Sequence, residues 1–321
     1  SLHTLALQED RILGDAEAGR WSRLARLRQI ESTAATQLDT ARTRVLLTGY
    51  ADFLTQHPLS DETAEARARA LLGLGDARRQ SAAADSAKLI EADEAYAQLL
   101  QEAAAWPQAR RARFGRSLVA LQRGDTGIAI DSLSALLPSL PGTGLQPEVL
   151  AMLGGALVQD GRHAEAATHL SELLLAFPDY PGRREAQELL GDTYLALGDA
   201  TRAAELFAVL STSDPDNDVT GSLRRRLATA RQQQGNAAAA LAIYDRLLVE
   251  GSGEADALQL ARGRLLATLG RVQDAIDAFD QVRGSSLLPA ARLGSANLHF
   301  ASGRFERASA AYAPLLAGEI S

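Results

Sequence analysis

The 321-residue chain contains no cysteine. Disulfide staples, thiolate nucleophiles and cysteine-ligated metals are excluded together. The same absence is compatible with a bacterial periplasm. Lysine is almost as scarce: Lys88 stands alone among 33 basic residues, an arginine bias that points to a GC-rich bacterial genome. Aromatic residues make up 5% of the chain against 46% for all hydrophobic residues. Alanine and leucine therefore carry the apolar content, which suits closely packed helices better than strands. No apolar run reaches the ~18 residues that a membrane-spanning helix needs. The net charge of −7 lacks the basic footprint of a general nucleic-acid binder.

Catalytic and metal-binding patterns are equally sparse. The histidines are scattered at His3, His57, His163, His169 and His299, and none pairs with another at the i, i+4 spacing of a helical metal site. Gly124 to Gly127 reads Gly-Asp-Thr-Gly without the Gly-Lys-Ser/Thr ending of a phosphate-cradling loop. The Asp214/Asp216/Asp218 run lacks the glycine and distal glutamate of a calcium loop. No catalytic residue, metal ligand or cofactor is expected.

What the sequence does contain is a repeated unit, clearest at Ala186 to Pro215. It reads as a helix, a Gly-Asp turn at Gly198, a second helix and a proline stop. The turn glycine recurs at Gly124, Gly161, Gly198, Gly235, Gly270 and Gly303, with spacings by subtraction of 37, 37, 37, 35 and 33. Five positions after each glycine stands an alanine: Ala129, Ala166, Ala203, Ala240, Ala275 and Ala308. Four further on is a large apolar residue: Leu133, Leu170, Phe207, Tyr244, Phe279 and Tyr312. Seven before each glycine the residue is small: Ser117, Gly154, Gly191, Ala228, Gly263 and Ala296. Amphipathic periodicity alone does not align six copies at these positions.

The first third of the chain is less regular. Leu2 to Ala18 reads as a helix ending in a turn at Gly19-Arg20-Trp21. A second helix follows with Trp21, Leu24, Leu27 and Ile30 on one face, and Ser32 or Thr33 caps the next, which carries Leu38, Val45, Leu46, Tyr50 and Phe53 to Pro58. A helix from Asp61 is expected to end at Gly75-Asp76, and Glu91 to Ala105 supplies Ala95 and Leu99 before Pro107. Gly75 to Gly124 spans 49 residues, so an insertion is expected near 76–90. The expected division is residues 1–109, degenerate hairpins, and 110–321, the regular array.

This pattern resembles the tetratricopeptide repeat family, whose helix–turn–helix unit places Leu-Gly, Tyr, Ala, Phe and Pro at fixed offsets over 34 residues. The resemblance is specific across about 110–318. It implies an all-α fold, a right-handed α-solenoid superhelix of about eight antiparallel helix hairpins, six of them regular. It also implies a non-catalytic scaffold that binds a peptide or partner protein along a concave groove lined by the first helix of each hairpin. The 37-residue spacing is similar to repeats of bacterial envelope proteins, so an assembly or export complex of the periplasm or cell envelope is the expected setting. A recognition module of a larger cytoplasmic enzyme or regulator is one alternative. A structural oligomer assembling through its solenoid ends is another: no capping helix follows the last second helix, so either more chain follows or another molecule covers that uncapped C-terminal end, self-association being one such case. The chain opens Ser1-Leu2-His3, as a mature product or an excised piece would.

Groove-facing positions should fall 13, 10, 6, 3 and 2 residues before each turn glycine. They give Glu188 and Asp192 on one repeat, Arg225, Thr229, Gln232 and Gln233 on the next, then Arg264, then Asn297 with Leu293 and Phe300. The groove thus passes from acidic to arginine- and amide-rich. Such side chains bind carboxylates or peptide backbone; the alternative is an ordinary solvated polar face. The Lys and Asn positions of the family's chaperone-tail clamp are not matched, so chaperone binding is not expected.

Overall fold

The computed structural model describes residues 2–37, 39–82, 85–213, 221–251, 254–284 and 286–316, with side chains from residue 17 onward except that of Ser213. Leu38, Pro215, the Asp214/Asp216/Asp218 run and the Gly318 to Ser321 end lie outside the described residues, as do the side chains of Leu2, Leu5, Ile12 and Leu13. Among the described residues the chain forms sixteen α-helices and no strand. None of these helices is long and apolar enough to cross a membrane. The fold is an all-α helical repeat, and its contacts divide it into two compact units, residues 1–162 and 163–321.

The first unit holds α1 (Leu2–Ala35), α2 (Asp39–Gln56), α3 (Ala64–Ala82), α4 (Ser86–Glu102), α5 (Ala109–Arg123), α6 (Thr126–Leu136), a short 3-10 turn (Leu137–Ser139) and α7 (Gln146–Gln159). Consecutive helices pack against each other, and the first helices of its hairpins also touch, α1 on α3 and α3 on α5. The expected turn at Gly19 is not there: α1 runs through it. Helix α3 likewise runs past Gly75 to Ala82. Neither glycine adopts the left-handed backbone found at the turn glycines, and one glycine in a helix costs only about 1 kcal/mol.

Gly75 is small for a packing reason. A Cβ there would lie 2.5 Å from the Tyr96 ring, and one on Gly115 would lie 2.4 Å from the same ring. Tyr96, on α4, is fully buried between glycines of α3 and α5, and its hydroxyl donates to Asp76 Oδ1 at 2.6 Å. Ala92, four residues earlier, is fully buried too. Ala92 and Tyr96 therefore play the alanine and large-apolar parts that the sequence suggests for Ala95 and Leu99. Gly73 meets Tyr50 of α2 in the same manner, at 2.5 Å from the ring.

The second unit holds α8 (His163–Ala176), α9 (Arg183–Ala196), α10 (Ala200–Ser213), α11 (Ser222–Gln233), α12 (Ala237–Glu250), α13 (Ala255–Thr268), α14 (Val272–Phe279), α15 (Leu288–Ala301) and α16 (Phe305–Leu316). Each again packs on its chain neighbours within the unit, and α13 touches α15. In two of its hairpins the large residue of the second helix fills the space left by small residues on adjacent first helices. Phe279 lies between Gly263 and Gly294, where added Cβ atoms would come within 2.5 and 2.7 Å of its ring. Phe207 covers Gly191 in the same way, at 2.6 Å.

The turns repeat one hydrogen-bond pattern. All six turn glycines have φ between 71° and 83°, a conformation that glycine adopts without a Cβ penalty. The residue after each donates its N–H to the carbonyl five residues back: Asp125 to Ala120, Arg162 to Leu157, Asp199 to Tyr194, Asn236 to Arg231, Arg271 to Leu266 and Arg304 to His299. This is the Schellman closure of a helix end. Within each unit it sets the angle at which a second helix leaves its first.

Candidate functional site

The candidate face residues lie on the first helices of the second unit, α9, α11, α13 and α15. Three rows cross them at equivalent positions. Six before the turn glycine stand Asp192, Thr229, Arg264 and Asn297; three before it stand Leu195, Gln232, Ala267 and Phe300; ten before it stand Glu188, Arg225, Leu260 and Leu293. Thr229, Gln232, Gln233, Arg264, Asn297, Leu293 and Phe300 are all exposed, while Glu188, Asp192 and Arg225 are half-buried. Leu260 departs from its row: only 6% exposed, it joins the core with Phe279, Val282 and Ala291.

The acidic end of the face is closed by an arginine the offsets do not select. Arg226 Nη1 donates to Glu188 Oε2 at 2.9 Å, and Arg226 Nε lies 3.5 Å from Asp192 Oδ1. Arg184 Nε stands 3.3 Å from the other Glu188 oxygen. Burial pushes the Asp192 carboxyl above its ordinary range; the Arg226 charge opposes this, and the Glu188 charge adds to it. Of the three consecutive arginines on α11, Arg224 pairs with Glu250 of α12 and Arg226 with α9. Consecutive helical residues point about 100° apart, so one tripeptide serves three directions.

Arg225 takes the remaining direction. It stands with Thr229 over Tyr244, whose phenol is raised by burial and lowered by the Thr229 hydrogen bond and the Arg225 charge. Neither Arg225 nor Arg264 meets a carboxylate among the described residues. Next to Arg264, Arg262 is spent on Asp245 at 2.6 Å. The Gln232 and Gln233 side chains carry no hydrogen bond within the described chain. Asn297 Oδ1 accepts from the Tyr312 hydroxyl at 2.5 Å, which leaves its amide N–H groups free to donate outward. Phe300 packs edge-on against Phe305 with ring centroids 5.4 Å apart.

A tetratricopeptide-repeat family model matches residues 151–218 and 225–289. Among solved structures, a tetratricopeptide repeat protein from Parabacteroides merdae ATCC 43184 is similar over 83% of this chain and 97% of its own, with a TM-score of 0.51 at 16% identity. YrrB, described as a TPR protein with an unusual peptide-binding site, is similar over 63% of this chain and 91% of its own, with a TM-score of 0.50 at 16% identity. Residues 151–218 and 225–289 thus match tetratricopeptide repeats, and the described chain has the same all-α helical-repeat fold. No curated protein matches it in sequence.

Tetratricopeptide repeats generally mediate protein–protein interaction, and the fold is typically a non-catalytic scaffold. The repeat positions behave accordingly here. Ala129, Ala166, Ala203, Ala240 and Ala275 are fully buried, and Ala308 is nearly so. The face residues escape this because nothing in the repeat needs them. For the same reason the sequence could rank them only by offset. It missed Arg226 because three adjacent arginines look alike until α9 is placed beside α11. It missed Phe305 because that residue starts a second helix.

Proposed function

We propose that this chain is a non-catalytic tetratricopeptide-repeat scaffold that holds a peptide or partner-protein segment on the first-helix face of its second unit, within a bacterial cell-envelope assembly. One observation supports the site above the others. Thr229, Arg264 and Asn297 occupy equivalent, exposed positions on successive first helices, with exposed Gln232 and Gln233 following Thr229 on α11, whereas the alanine positions of the second helices are filled with core residues. Amide and guanidinium groups in a row offer donors and acceptors at each step of an extended chain. Support for the envelope setting comes from the sequence: the absence of cysteine, and the 37-residue repeat spacing.

The test is site-specific photocrosslinking in the native host. A crosslinker at Gln233 or Arg264 should capture a partner that the same crosslinker at Val249 or Leu175, both exposed on second helices of the same unit, does not. Capture only from Val249 or Leu175 would overturn the proposed face. Recovery of the native protein solely in the cytosolic fraction would overturn the envelope setting.

A further inference from the structure

We infer that the occupant of this face is an acidic segment carrying an aromatic or large aliphatic residue about three positions from its acidic residue; the inference rests on the reading of the face as a partner site. Charge pairing decides the first half. Glu188 and Asp192, the carboxylates that make the face look acidic in sequence, are already matched by Arg226, with Arg184 on Glu188. Arg225 and Arg264 meet no carboxylate among the described residues, and the groups beside them, Gln232 and Gln233, are neutral. The net charge of −7 favours a basic partner at long range. That field is screened over about 8–10 Å at physiological salt, so at contact the unmatched guanidinium groups dominate.

The second half comes from α15. Leu293 and Phe300 are 47% and 58% exposed, and their seven-residue spacing puts them on one stripe of the helix. Phe300 is held by Phe305, so covering it costs little side-chain freedom. Helices in contact lie about 8–10 Å apart, and α13 touches α15. A peptide held in the polyproline II conformation advances about 3.1 Å per residue and presents the same face every third residue. A carboxylate on Arg264 therefore places a side chain about three residues away over Phe300.

The probes are fluorescein-labelled 12-residue peptides with two aspartates and a phenylalanine three positions away, made in both orders. Counterparts carry asparagine or lysine for aspartate, or alanine for phenylalanine. Anisotropy with the full chain should show the acidic–aromatic peptide in one order binding about tenfold tighter than its asparagine and alanine counterparts. Arg264→Glu, at an exposed position, should keep the helical melt, lose about tenfold for the acidic peptide and gain binding of the lysine peptide. Equal or tighter binding of the asparagine or lysine peptide by the unmodified chain, or unchanged binding by Arg264→Glu, would overturn the inference. A random displayed 12-mer library selected on the full chain separates the two readings. Recovered peptides that lose binding on Gln232→Lys/Gln233→Lys but lack acidic residues sink this inference and keep the face. Peptides indifferent to both that double variant and Arg264→Glu sink both.

Discussion

Arg67 grips Glu102 through two parallel hydrogen bonds, Nε to Oε2 at 2.9 Å and Nη2 to Oε1 at 2.8 Å, with the two side chains only 8% and 11% exposed. The remaining guanidinium nitrogen, Nη1, donates to the carbonyls of Leu54 and His57 at 3.0 and 2.7 Å. One side chain on α3 thus ties the end of α2 to the end of α4. The last carbonyls of α2 gain a charged donor where the helix leaves them open.

Removing one partner of a buried pair leaves the other uncompensated and costs about 3–5 kcal/mol. Glu102→Gln should therefore lower the melting temperature of the chain markedly at neutral pH. The hydrogen bonds from Arg67 hold the Glu102 carboxyl below its ordinary range, against the opposing effect of burial. A folded value below the unfolded one contributes stability above the unfolded pKa, and that contribution is lost as the pH falls through the folded value. Melts at pH 7 and pH 3 should show the gap between Glu102→Gln and the unmodified chain narrowing at the acid end. An equal gap at both would refute the assignment.

Gly191 and Phe207 share one space, since a Cβ on the glycine would stand 2.6 Å from the ring. Gly191→Ala should destabilise by about 1–3 kcal/mol through overpacking. Adding Phe207→Leu to Gly191→Ala should recover part of that loss, because Leu133 and Leu170 occupy the same repeat position elsewhere. A double-mutant cycle in chemical denaturation measures the coupling; strict additivity would contradict the shared-space account.

Two glycines should respond in opposite directions to alanine. Gly198 has φ +77°, so Gly198→Ala should cost about 1–2 kcal/mol of backbone strain. Gly155 lies inside α7 without positive φ, and an added Cβ there meets nothing within 4 Å. Gly155→Ala should stabilise by about 0.5–1 kcal/mol. Thermal melts of the two single variants check both signs.

The Tyr50 phenol is pushed up to about 12, first by burial and then by the charge and hydrogen bond of Glu31. Its hydroxyl lies 3.5 Å from Glu31 Oε1. A folded value above the unfolded one means stability that is fully present below pH ~10 and lost as the pH climbs toward 12. Alkaline stability should fall less steeply in Tyr50→Phe, read from melts between pH 9 and 12. The phenolate absorbance of Tyr50 should rise later than that of an exposed tyrosine.

The regular repeats were legible in sequence because each of their marked positions has one physical requirement. Gly198 must take a positive φ, Ala203 must let two backbones approach, and Phe207 must fill what they leave. Such requirements do not depend on any distant residue, so they survive as a readable spacing. The α3–α4 hairpin obeys the same packing with longer helices, which moves Tyr96 to 21 residues after Gly75 instead of 16. The fixed offset is then lost, although the contact is the same. Thr229, Gln232, Gln233, Arg264 and Asn297 are exposed at the expected rows because no packing requirement claims those positions.

By itself the sequence determined the helical class, the repeat, the turn glycines and the small-residue pockets, because these follow from local backbone geometry and from side-chain volume at fixed spacing. Only the tertiary structure decided that α1 and α3 continue through Gly19 and Gly75, that Tyr96 lies between two glycines, and that Arg226 rather than Arg225 meets Glu188 and Asp192. Whether a glycine ends a helix or accommodates a ring depends on what stands opposite it. Which arginine meets a carboxylate and which does not depends on where the neighbouring helix puts its acidic side chains.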